Sequence, residues 1–316
     1  MNILVTGANG QLGKCLFEIC DRDSLKPNGV NFYFTGREDL DIGNHDAVEE
    51  YITENNIGIV INTAAYTNVD KAETDIVSAF KANAFGALFL AEAVRDTGGI
   101  MIQISTDYVY TPYPGWKGEP FKESCIDVDK TTPSTVYGAS KLCAENNIIN
   151  SGCNYLIIRT SWLYSMYGKN FLKTVRNNIL NTRLDDTFKF VCDQIGTPTS
   201  AHSLAAFIYN MVLGIALKYD PSYDTFESDI INYSDIGACS WYDFACVINE
   251  CLDVHATILP CYSHEYHSKA VRPFYSVMSK EKLNTDRYVP YNNTRHWLLN
   301  VKEVMKRIED YEKNNK

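Results

Sequence analysis

Short apolar runs alternate with amphipathic stretches along the first half of the chain. Runs of strand length occupy residues 3–5, 32–35, 58–62, 100–105 and 155–160. Stretches with helical spacing lie between them, at residues 11–21, 46–55, 76–96 and 134–150. Alternation of strand and helix is typical of a parallel sheet covered on both faces. The pattern therefore predicts an α/β fold with a doubly wound parallel sheet, which is the Rossmann architecture.

The pattern loosens after about residue 165. Helical stretches at 170–180, 203–217 and 240–252 are interleaved with short strand-like runs at 189–192, 230–233 and 257–259. We predict a dinucleotide-binding domain of residues 1–165, completed by 195–235. Residues 166–194 and 236–304 then form most of a smaller C-terminal α/β substrate domain, and 305–316 form the end of a C-terminal helix. Two stretches, 111–132 and 220–229, have loop composition, and the first is expected to act as a lid near the site.

Composition limits the class of protein. The 316 residues carry a formal net charge of −10, which opposes binding to nucleic acid. No apolar run has the length of a membrane span, and the first residues lack the features of a secretory signal. Ten cysteines without such a signal fit a reducing compartment. We expect a cytoplasmic protein without membrane or nucleic-acid partners.

Three glycines, Gly7, Gly10 and Gly13, stand between the first predicted strand and the first helix. The first two permit a close approach of the backbone to a ligand, and the third permits close packing of helix on strand. The N-terminus of the helix favours an anion such as a pyrophosphate. We predict a dinucleotide site that includes these glycines with Asn9, Gln11 and Leu12; the alternative is a tight turn without a ligand.

The second predicted strand ends without an acidic residue and is followed by Arg37. An arginine at this place can bind the 2′-phosphate of NADPH, whereas an acidic residue would bind the ribose of NADH. A solvated loop charge explains Arg37 equally well, so the cofactor is predicted as NADPH or NADH. Asp41 and Ile42 are candidates for contacts with the adenine, and the alternative role of Asp41 is to cap the next helix.

Tyr137 and Lys141 are four residues apart on one predicted helix, so they share a face. Reduction of a ketone by hydride needs a proton donor, and a tyrosine hydroxyl serves if a nearby ammonium lowers its pKa. Thr106, at the end of the strand 100–105, faces the same crevice as the glycine loop. We predict Thr106, Tyr137 and Lys141 as catalytic residues, with Tyr137 and Lys141 also contacting the cofactor.

Four residues near the C-terminal region resemble a metal cluster: His255, Cys261, His264 and His267. Their spacing matches no known metal motif, so no metal site is predicted.

Together with these motifs, several further segments carry a resemblance to a known family. The carriers are residues 6–13, 62–73, 105–110, 136–138, 159–164, 193–199 and 272–276. In these segments the chain resembles the dTDP-4-dehydrorhamnose reductases, within the extended short-chain dehydrogenase/reductase family. The resemblance runs from Met1 to about Val304 and implies NAD(P)H-dependent reduction of a nucleotide-activated 4-keto sugar for polysaccharide biosynthesis.

The resemblance also implies roles for individual residues. Tyr137 is the proton donor, Lys141 its partner and Thr106 the third catalytic residue. The residues that border the sugar are Val69, Asp107, Tyr108 and Trp162, with Thr106. The residues that line the nicotinamide half of the cofactor site are Ala64, Ala65, Tyr66 and Asn83.

The family further implies a monomer or a homodimer. Some members bind Mg²⁺ at a dimer interface through a glutamate, and this chain has Cys15 at that position. A thiol is a poor ligand for Mg²⁺, so metal-dependent dimerisation is not expected.

Three alternatives remain open at this stage. A nucleotide-sugar 4,6-dehydratase shares the glycine loop and the Tyr-x-x-x-Lys spacing, but typically has a glutamate where this chain has Tyr108. A 4-epimerase would retain bound NAD through its cycle. A non-catalytic dinucleotide-binding regulatory subunit belongs to a different class, and the presence of Thr106, Tyr137 and Lys141 argues against it.

Overall fold

The computed structural model describes residues 1–23, 27–126, 131–181, 186–218, 226–266 and 268–314. The strands are β1 (Asn2–Thr6), β2 (Asn31–Thr35), β3 (Ile57–Asn62), β4 (Ile100–Thr106), β5 (Asn154–Thr160), β6 (Leu163–Tyr164), β7 (Thr187–Val191), β8 (Ile195–Gly196), β9 (Thr199–Ser200), β10 (Asp229–Asn232), β11 (Cys239–Ser240) and β12 (Thr257–Cys261). The helices are α1 (Gln11–Arg22), α2 (His45–Glu54), α3 (Val69–Ala72), α4 (Ile76–Phe80), α5 (Gly86–Asp96), α6 (Val136–Ser151), α7 (Phe171–Leu180), α8 (Ala201–Lys218), α9 (Trp241–Glu250) and α10 (Trp297–Asn314).

Six parallel strands form the central sheet in the order β10-β5-β4-β3-β1-β2. Successive residues of β1 enter different cores: Ile3 and Val5 pack with α1 and α8, whereas Leu4 packs with α2, α5 and α6. Both faces of the strand are therefore buried, as in a doubly wound sheet. The predicted fold class is confirmed.

The direction of winding reverses at β1. The chain passes from β1 to β2 on one side and then returns to β3 on the other side. Such a switch point leaves a crevice at the carboxyl ends of the two strands, where ligands bind in open α/β sheets. Here the crevice lies beside Gly7, which follows β1, and Thr63, which follows β3.

A second apolar cluster lies outside the central sheet. It is formed mainly by α7, α9 and α10, through residues such as Leu172, Phe244, Val301 and Met305. Small strand pairs frame this part: β7 runs parallel to β12, β8 antiparallel to β11, and β6 parallel to β9. Its residues fall mainly within the segments predicted for the substrate domain.

The stretch predicted as one helix over 76–96 is more complex. It consists of α4, a π-helical turn at Lys81–Phe85, and α5. Within the described residues, this composite helix is the one whose length and apolar composition would allow it to cross a membrane. Its inner face packs on the sheet through Ala87, Leu90 and Ala91, which accounts for that composition.

The described part of the stretch 111–132 pairs with residues 277–279. The backbone N–H of Phe121 donates to Val277 O at 2.9 Å, and Ser279 N donates to Phe121 O at 2.8 Å. None of its described residues lines the cleft described below. The pairing with 277–279 places Phe121 outside the cleft lining in this structure, and the lid stays a prediction. Residues 127–130 lie outside the described residues, as do 220–225 of the second predicted loop.

The polar C-terminal residues form the end of the helix α10. α10 begins at Trp297, well before the predicted helix end at 305–316, and packs through Val304 and Ile308. Its last described residue is Asn314, and residues 315–316 lie outside the described part.

Candidate active site

A cleft of about 1040 Å³ opens at the carboxyl edge of the sheet, between the sheet and the C-terminal part. Most of the residues predicted from the sequence line it: Gly7, Asn9, Gly10, Gln11, Leu12, Arg37, Asp41, Ile42, Ala64, Ala65, Tyr66, Val69, Thr106, Asp107, Tyr108, Tyr137, Lys141 and Trp162. Two predicted residues, Gly13 and Asn83, are not part of this lining. The structure thus brings together groups from six separate segments of the chain.

The turn between β1 and α1 requires glycine at its first position. Gly7 has φ of 69°, and a Cβ there would lie 2.6 Å from the backbone nitrogen of Ala64. Gly10 N donates to Gly7 O at 2.9 Å, which closes the turn at the N-terminus of α1. A backbone free of side chains at the start of a helix fits a dinucleotide pyrophosphate.

Gly13 and Asn83 act behind the cleft surface. A Cβ on Gly13 would lie 2.6 Å from Ala8 Cα, so this glycine allows α1 to pack against the turn, as its predicted packing role requires. The Asn83 side chain accepts from Tyr66 N at 2.7 Å and donates to Ser140 Oγ at 2.9 Å. Asn83 is 2% exposed, so it acts on the cleft by holding the Tyr66 backbone.

Arg37 and Asp41 lie at the far end of the cleft. Arg37 is exposed, and its Nη2 is 3.9 Å from Asp41 Oδ2, so the pair holds the guanidinium only loosely. Asp41 does not cap α2, because Asn44 accepts from Ala47 N in that role. Instead Asp41 Oδ1 accepts from Gly43 N at 3.0 Å. Arg37 is therefore available to a negatively charged group at this end of the cleft.

Tyr137, Thr106 and Lys141 meet in the middle of the cleft. α6 starts immediately before Tyr137 because Thr135 caps it by accepting from Gly138 N at 3.0 Å. The Tyr137 hydroxyl lies beside the Thr106 side chain, and burial raises its pKa above the ordinary value. Lys141 Nζ donates to Ile104 O at 2.6 Å. Burial lowers the pKa of Lys141 to about 8.

One element of the predicted electrostatics differs from the structure. The groups that shift the pKa of Tyr137 besides burial are Thr106, Asp107 and Tyr108, and Lys141 is not among them. The reason is geometric, since the Lys141 ammonium is directed at the Ile104 carbonyl. The Tyr137 hydroxyl therefore keeps its proton at neutral pH in this structure.

Asp107 is buried beside Thr106. Its Oδ1 accepts from Thr106 Oγ1 at 3.1 Å, and Ser276 lies against the same carboxyl. Burial raises the pKa of this carboxyl to about 6. A carboxylate in the lining of a cleft is an acceptor for a ligand hydroxyl.

Two stacked indoles form the wall on the C-terminal side. The rings of Trp162 and Trp241 are 3.5 Å apart and 5° from parallel. Trp162 has φ of 44°, and Gly196 lies under its ring, where a Cβ would come within 2.4 Å. Trp241 Nε1 donates to Gln194 Oε1 at 3.2 Å. The sequence predicted Trp162 but not Trp241, which is distant along the chain and carries only the signal of a helix start.

An ion pair crosses the mouth of the cleft. Arg272 Nη2 is 2.7 Å from Asp70 Oδ2, and Arg272 Nη1 donates to the Tyr108 hydroxyl at 3.3 Å. The Tyr108 ring packs edge-on against Tyr137 at 5.6 Å. Arg272 lies in a segment that carried the family resemblance, yet no sequence pattern indicated its place in the site.

Cys15 does not fit a magnesium ligand. Its thiol is fully buried in the core between α1 and α8, and burial raises its pKa. No group of three or more metal-ligating side chains occurs within the described ranges, which include His255, Cys261 and His264 but not His267. The structure contains no disulfide bond between described cysteines.

Known proteins are similar to this chain along most of its length. The family model described as RmlD substrate binding domain matches residues 1–309. The spore coat polysaccharide biosynthesis protein SpsK of Bacillus subtilis strain 168 is 32% identical over 303 residues, which cover 96% of each chain. The dTDP-4-dehydrorhamnose reductase of Burkholderia thailandensis is 33% identical over 291 residues, which cover 90% of this chain and 92% of that one.

The fold of this chain also matches that of a solved structure. The dTDP-4-dehydrorhamnose reductase of Bacillus anthracis strain Ames, crystallised in complex with NADP, superposes with a TM-score of 0.82 at 32% identity. The match covers 97% of this chain and 99% of that one. The resemblance seen in the sequence is thus confirmed, and this chain belongs to the RmlD family, to which dTDP-4-dehydrorhamnose reductases belong.

Proposed function

We propose that this protein is an NAD(P)H-dependent reductase that converts the 4-keto group of dTDP-4-dehydro-L-rhamnose to the hydroxyl of dTDP-L-rhamnose, for polysaccharide biosynthesis. The observation that carries the proposal is that Tyr137 and Thr106 lie side by side in the same cleft as the glycine turn. Binding of a nucleotide-sugar substrate, a cytoplasmic location and a monomeric or homodimeric state belong to the same proposal.

The glycine turn and the residues after β3 would hold the cofactor. Gly7, Gly10 and the N-terminus of α1 suit its pyrophosphate, and Ala64 to Tyr66 suit its nicotinamide half. The bound cofactor supplies a hydride to the keto carbon. The exposed Arg37 supports NADPH, since its guanidinium is free to pair with a 2′-phosphate.

Tyr137 supplies the proton. As the keto oxygen gains negative charge, the Tyr137 hydroxyl and the Thr106 hydroxyl donate to it, and the Tyr137 proton is transferred. Burial keeps Tyr137 protonated beforehand, so the acid is in the required form at neutral pH. Lys141 Nζ donates to the Ile104 carbonyl in this structure. Its ammonium would stabilise the resulting tyrosinate once it turns from that carbonyl toward the Tyr137 oxygen.

Trp162, Asp107 and Tyr108 orient the sugar. The indole of Trp162 is fixed by its stack on Trp241 and offers an apolar surface to the deoxysugar ring. The Asp107 carboxylate, in the lining of the cleft, would accept from a sugar hydroxyl. A tyrosine at 108 in place of an acid leaves no second carboxyl next to Asp107 for elimination of water, which favours reduction over dehydration.

The test follows the absorbance of reduced nicotinamide when the protein is mixed with NADPH or NADH and enzymatically prepared dTDP-4-dehydro-L-rhamnose. Oxidation should require both protein and sugar and should be faster with NADPH. Protein heated until it unfolds serves as the control. Binding of cofactor without turnover would reject the reductase in favour of the regulatory-subunit alternative, and tightly bound NAD in the purified protein would indicate an epimerase.

A further inference from the structure

A fully buried ion pair lies beneath the centre of the cleft. Glu145 on α6 and Arg159 on β5 are 0% and 1% exposed, and Arg159 Nη2 is 2.6 Å from Glu145 Oε2. Arg159 Nε donates to Glu145 Oε1 at 3.0 Å, so the contact is bidentate. Ser105 Oγ also donates to Glu145 Oε1, at 2.5 Å. The three side chains form one unit, which we call the Glu145 unit.

Two members of the Glu145 unit are next to residues of the reaction centre, and the third pairs with one of these two members. Ser105 immediately precedes Thr106 in β4. Glu145 follows Lys141 by one turn of α6, on the same face. Arg159 is the register partner of Ser105 across the β4–β5 pair. The unit therefore joins the two elements that carry Thr106 and Lys141 at the ends where they meet the cleft.

Stability alone gives a weak reason for such a pair. Removing two charges from water costs several kcal/mol per ion, and an apolar pair of equal volume often stabilises a core as well or better. The remaining hydrogen-bonding capacity of Arg159 is nevertheless satisfied, since its Nη1 donates to the Tyr110 hydroxyl at 2.9 Å and to Glu123 O at 3.2 Å. What an apolar pair would lose is the directed hydrogen bond to Ser105 and the negative charge near Lys141.

We propose that Ser105, Glu145 and Arg159 are positioning residues that hold Thr106 and the Lys141 ammonium in the arrangement needed for proton donation by Tyr137. This inference rests on the reductase activity proposed above. The Ser105 hydrogen bond fixes the end of β4, and the Glu145 carboxylate favours the charged form of Lys141 against the effect of burial.

Glu145 is the charged group that acts on Lys141 against the effect of burial. The other charged and titratable groups at the centre of the cleft or in the Glu145 unit are Tyr137 on α6, Asp107 and Tyr108 in the turn after β4, and Arg159 on β5. Replacing Glu145 by a neutral residue leaves the positive charge of Arg159 uncompensated. The pKa of Lys141 should then fall below its present value of about 8.

The first test is Ser105→Ala, which keeps the ion pair and removes one hydrogen bond. We expect kcat to fall about 10-fold, with KM and the NADPH dissociation constant changed by less than about 2-fold. Ser105→Thr, which retains a hydroxyl, should recover most of kcat. A wild-type kcat in Ser105→Ala would remove Ser105 from the proposal.

The second test separates position from stability. In Glu145→Gln, kcat should fall, and the alkaline limb of its pH profile should move to lower pH by about one unit, because Lys141 loses its proton earlier. In the double variant Glu145→Met with Arg159→Met, the melting temperature should recover while kcat stays low. Recovery of kcat together with the melting temperature would assign a purely structural role and overturn the inference.

A matched control is Glu312→Gln, which breaks the Arg176–Glu312 ion pair, also 2.6 Å long, in the C-terminal part. Its kcat and pH profile should equal those of the wild type. If the wild type itself shows no turnover, the proposed function fails. The pH dependence of NADPH affinity then still tests the unit, because an equal profile in wild type and Glu145→Gln would reject its action on Lys141.

Discussion

The Tyr137 hydroxyl combines two properties that a proton donor needs. Burial raises its pKa, so it carries a proton at neutral pH, and the hydroxyl lies in the cleft beside Thr106. Its ring is held by the edge-on contact with Tyr108. Position and protonation state are thus both set before any ligand binds.

Tyr137→Phe removes the hydroxyl group that supplies the proton and keeps the aromatic ring. We expect kcat to fall by about 10²-fold or more, while the dissociation constant of NADPH measured by calorimetry stays nearly unchanged. Tyr113→Phe, on the loop outside the cleft, is the matched control and should have wild-type kcat. Turnover by Tyr137→Phe at the wild-type rate would assign the proton to another group.

The buried carboxyl of Asp107 makes the stability of the fold depend on pH. Its pKa in the folded protein, about 6, lies above the ordinary 3.8, so the folded state binds the proton more tightly than the unfolded state. The stability linked to this proton is complete below about pH 4 and is lost as the pH rises through about 6. At neutral pH the buried carboxylate therefore costs the fold free energy.

Asp107→Asn should accordingly raise the free energy of unfolding at neutral pH by about 1–3 kcal/mol, with the difference vanishing near pH 4. KM for the sugar nucleotide should rise, since the acceptor Oδ2 is replaced by a donor. Urea unfolding at several pH values measures the first effect. Asp46→Asn, at an exposed position, should show neither effect; a destabilised Asp107→Asn at neutral pH would contradict the assignment.

At the scale of elements, the β1–α1 turn shows how a sequence pattern fixes a geometry. Gly7 is required by its positive φ and by the contact a Cβ would make with Ala64. Gly29 also has a positive φ, of 83°, but no atom lies within 4 Å of a Cβ there. A substitution at Gly29 therefore introduces backbone strain alone, whereas a substitution at Gly7 introduces strain together with steric overlap.

Gly29→Ala should destabilise the protein by about 1 kcal/mol through strain alone and leave NADPH binding intact. Gly7→Ala should cost more stability and should weaken NADPH binding by at least about 10-fold, because Thr63 and Ala64 must move away from the turn. Chemical denaturation and titration calorimetry of both variants provide the comparison. Equal NADPH affinity in Gly7→Ala and wild type would show that the turn does not contact the cofactor.

The elements of the sheet could be predicted because their signals are local. The alternation of apolar strands and amphipathic helices, with glycines at the first turn, determines most of the Rossmann part. The π-turn at Lys81–Phe85 could not be predicted, because its apolar residues have the same spacing as those of an ordinary α-helix. What distinguishes it is a contact of Asn83 with the Tyr66 backbone, which is distant along the chain.

The parts of the site that could not be predicted also depend on contacts between residues that are distant along the chain. Trp241 and Arg272 reach the cleft only after the C-terminal part has folded against the sheet, and nothing near them in the sequence encodes that position. The strand pairs β6–β9 and β8–β11 are two residues long and give no periodic signal. The pKa of Tyr137 likewise depends on burial and on where Lys141 points, not on their spacing.

At the scale of the whole molecule, the cleft is shared by the sheet and the C-terminal part, so ligands should stabilise both together. NADPH at about 100 times its dissociation constant should add about 2.7 kcal/mol to the free energy of unfolding. Addition of dTDP should raise the melting temperature further, because its site would contact both parts. Thermal unfolding with each ligand alone and with both measures this; AMP in place of dTDP is the control, and no added effect of dTDP would place its site elsewhere.

The Trp162–Trp241 stack also has an optical consequence. Two of the four tryptophans lie nearly parallel at 3.5 Å, close enough for their electronic transitions to couple and produce an exciton signal in circular dichroism. Trp162 follows β5 of the sheet and Trp241 begins α9 of the C-terminal part. The signal therefore reports the distance between the two parts of the molecule, without any label, at the wall of the cleft where the sugar is expected to bind.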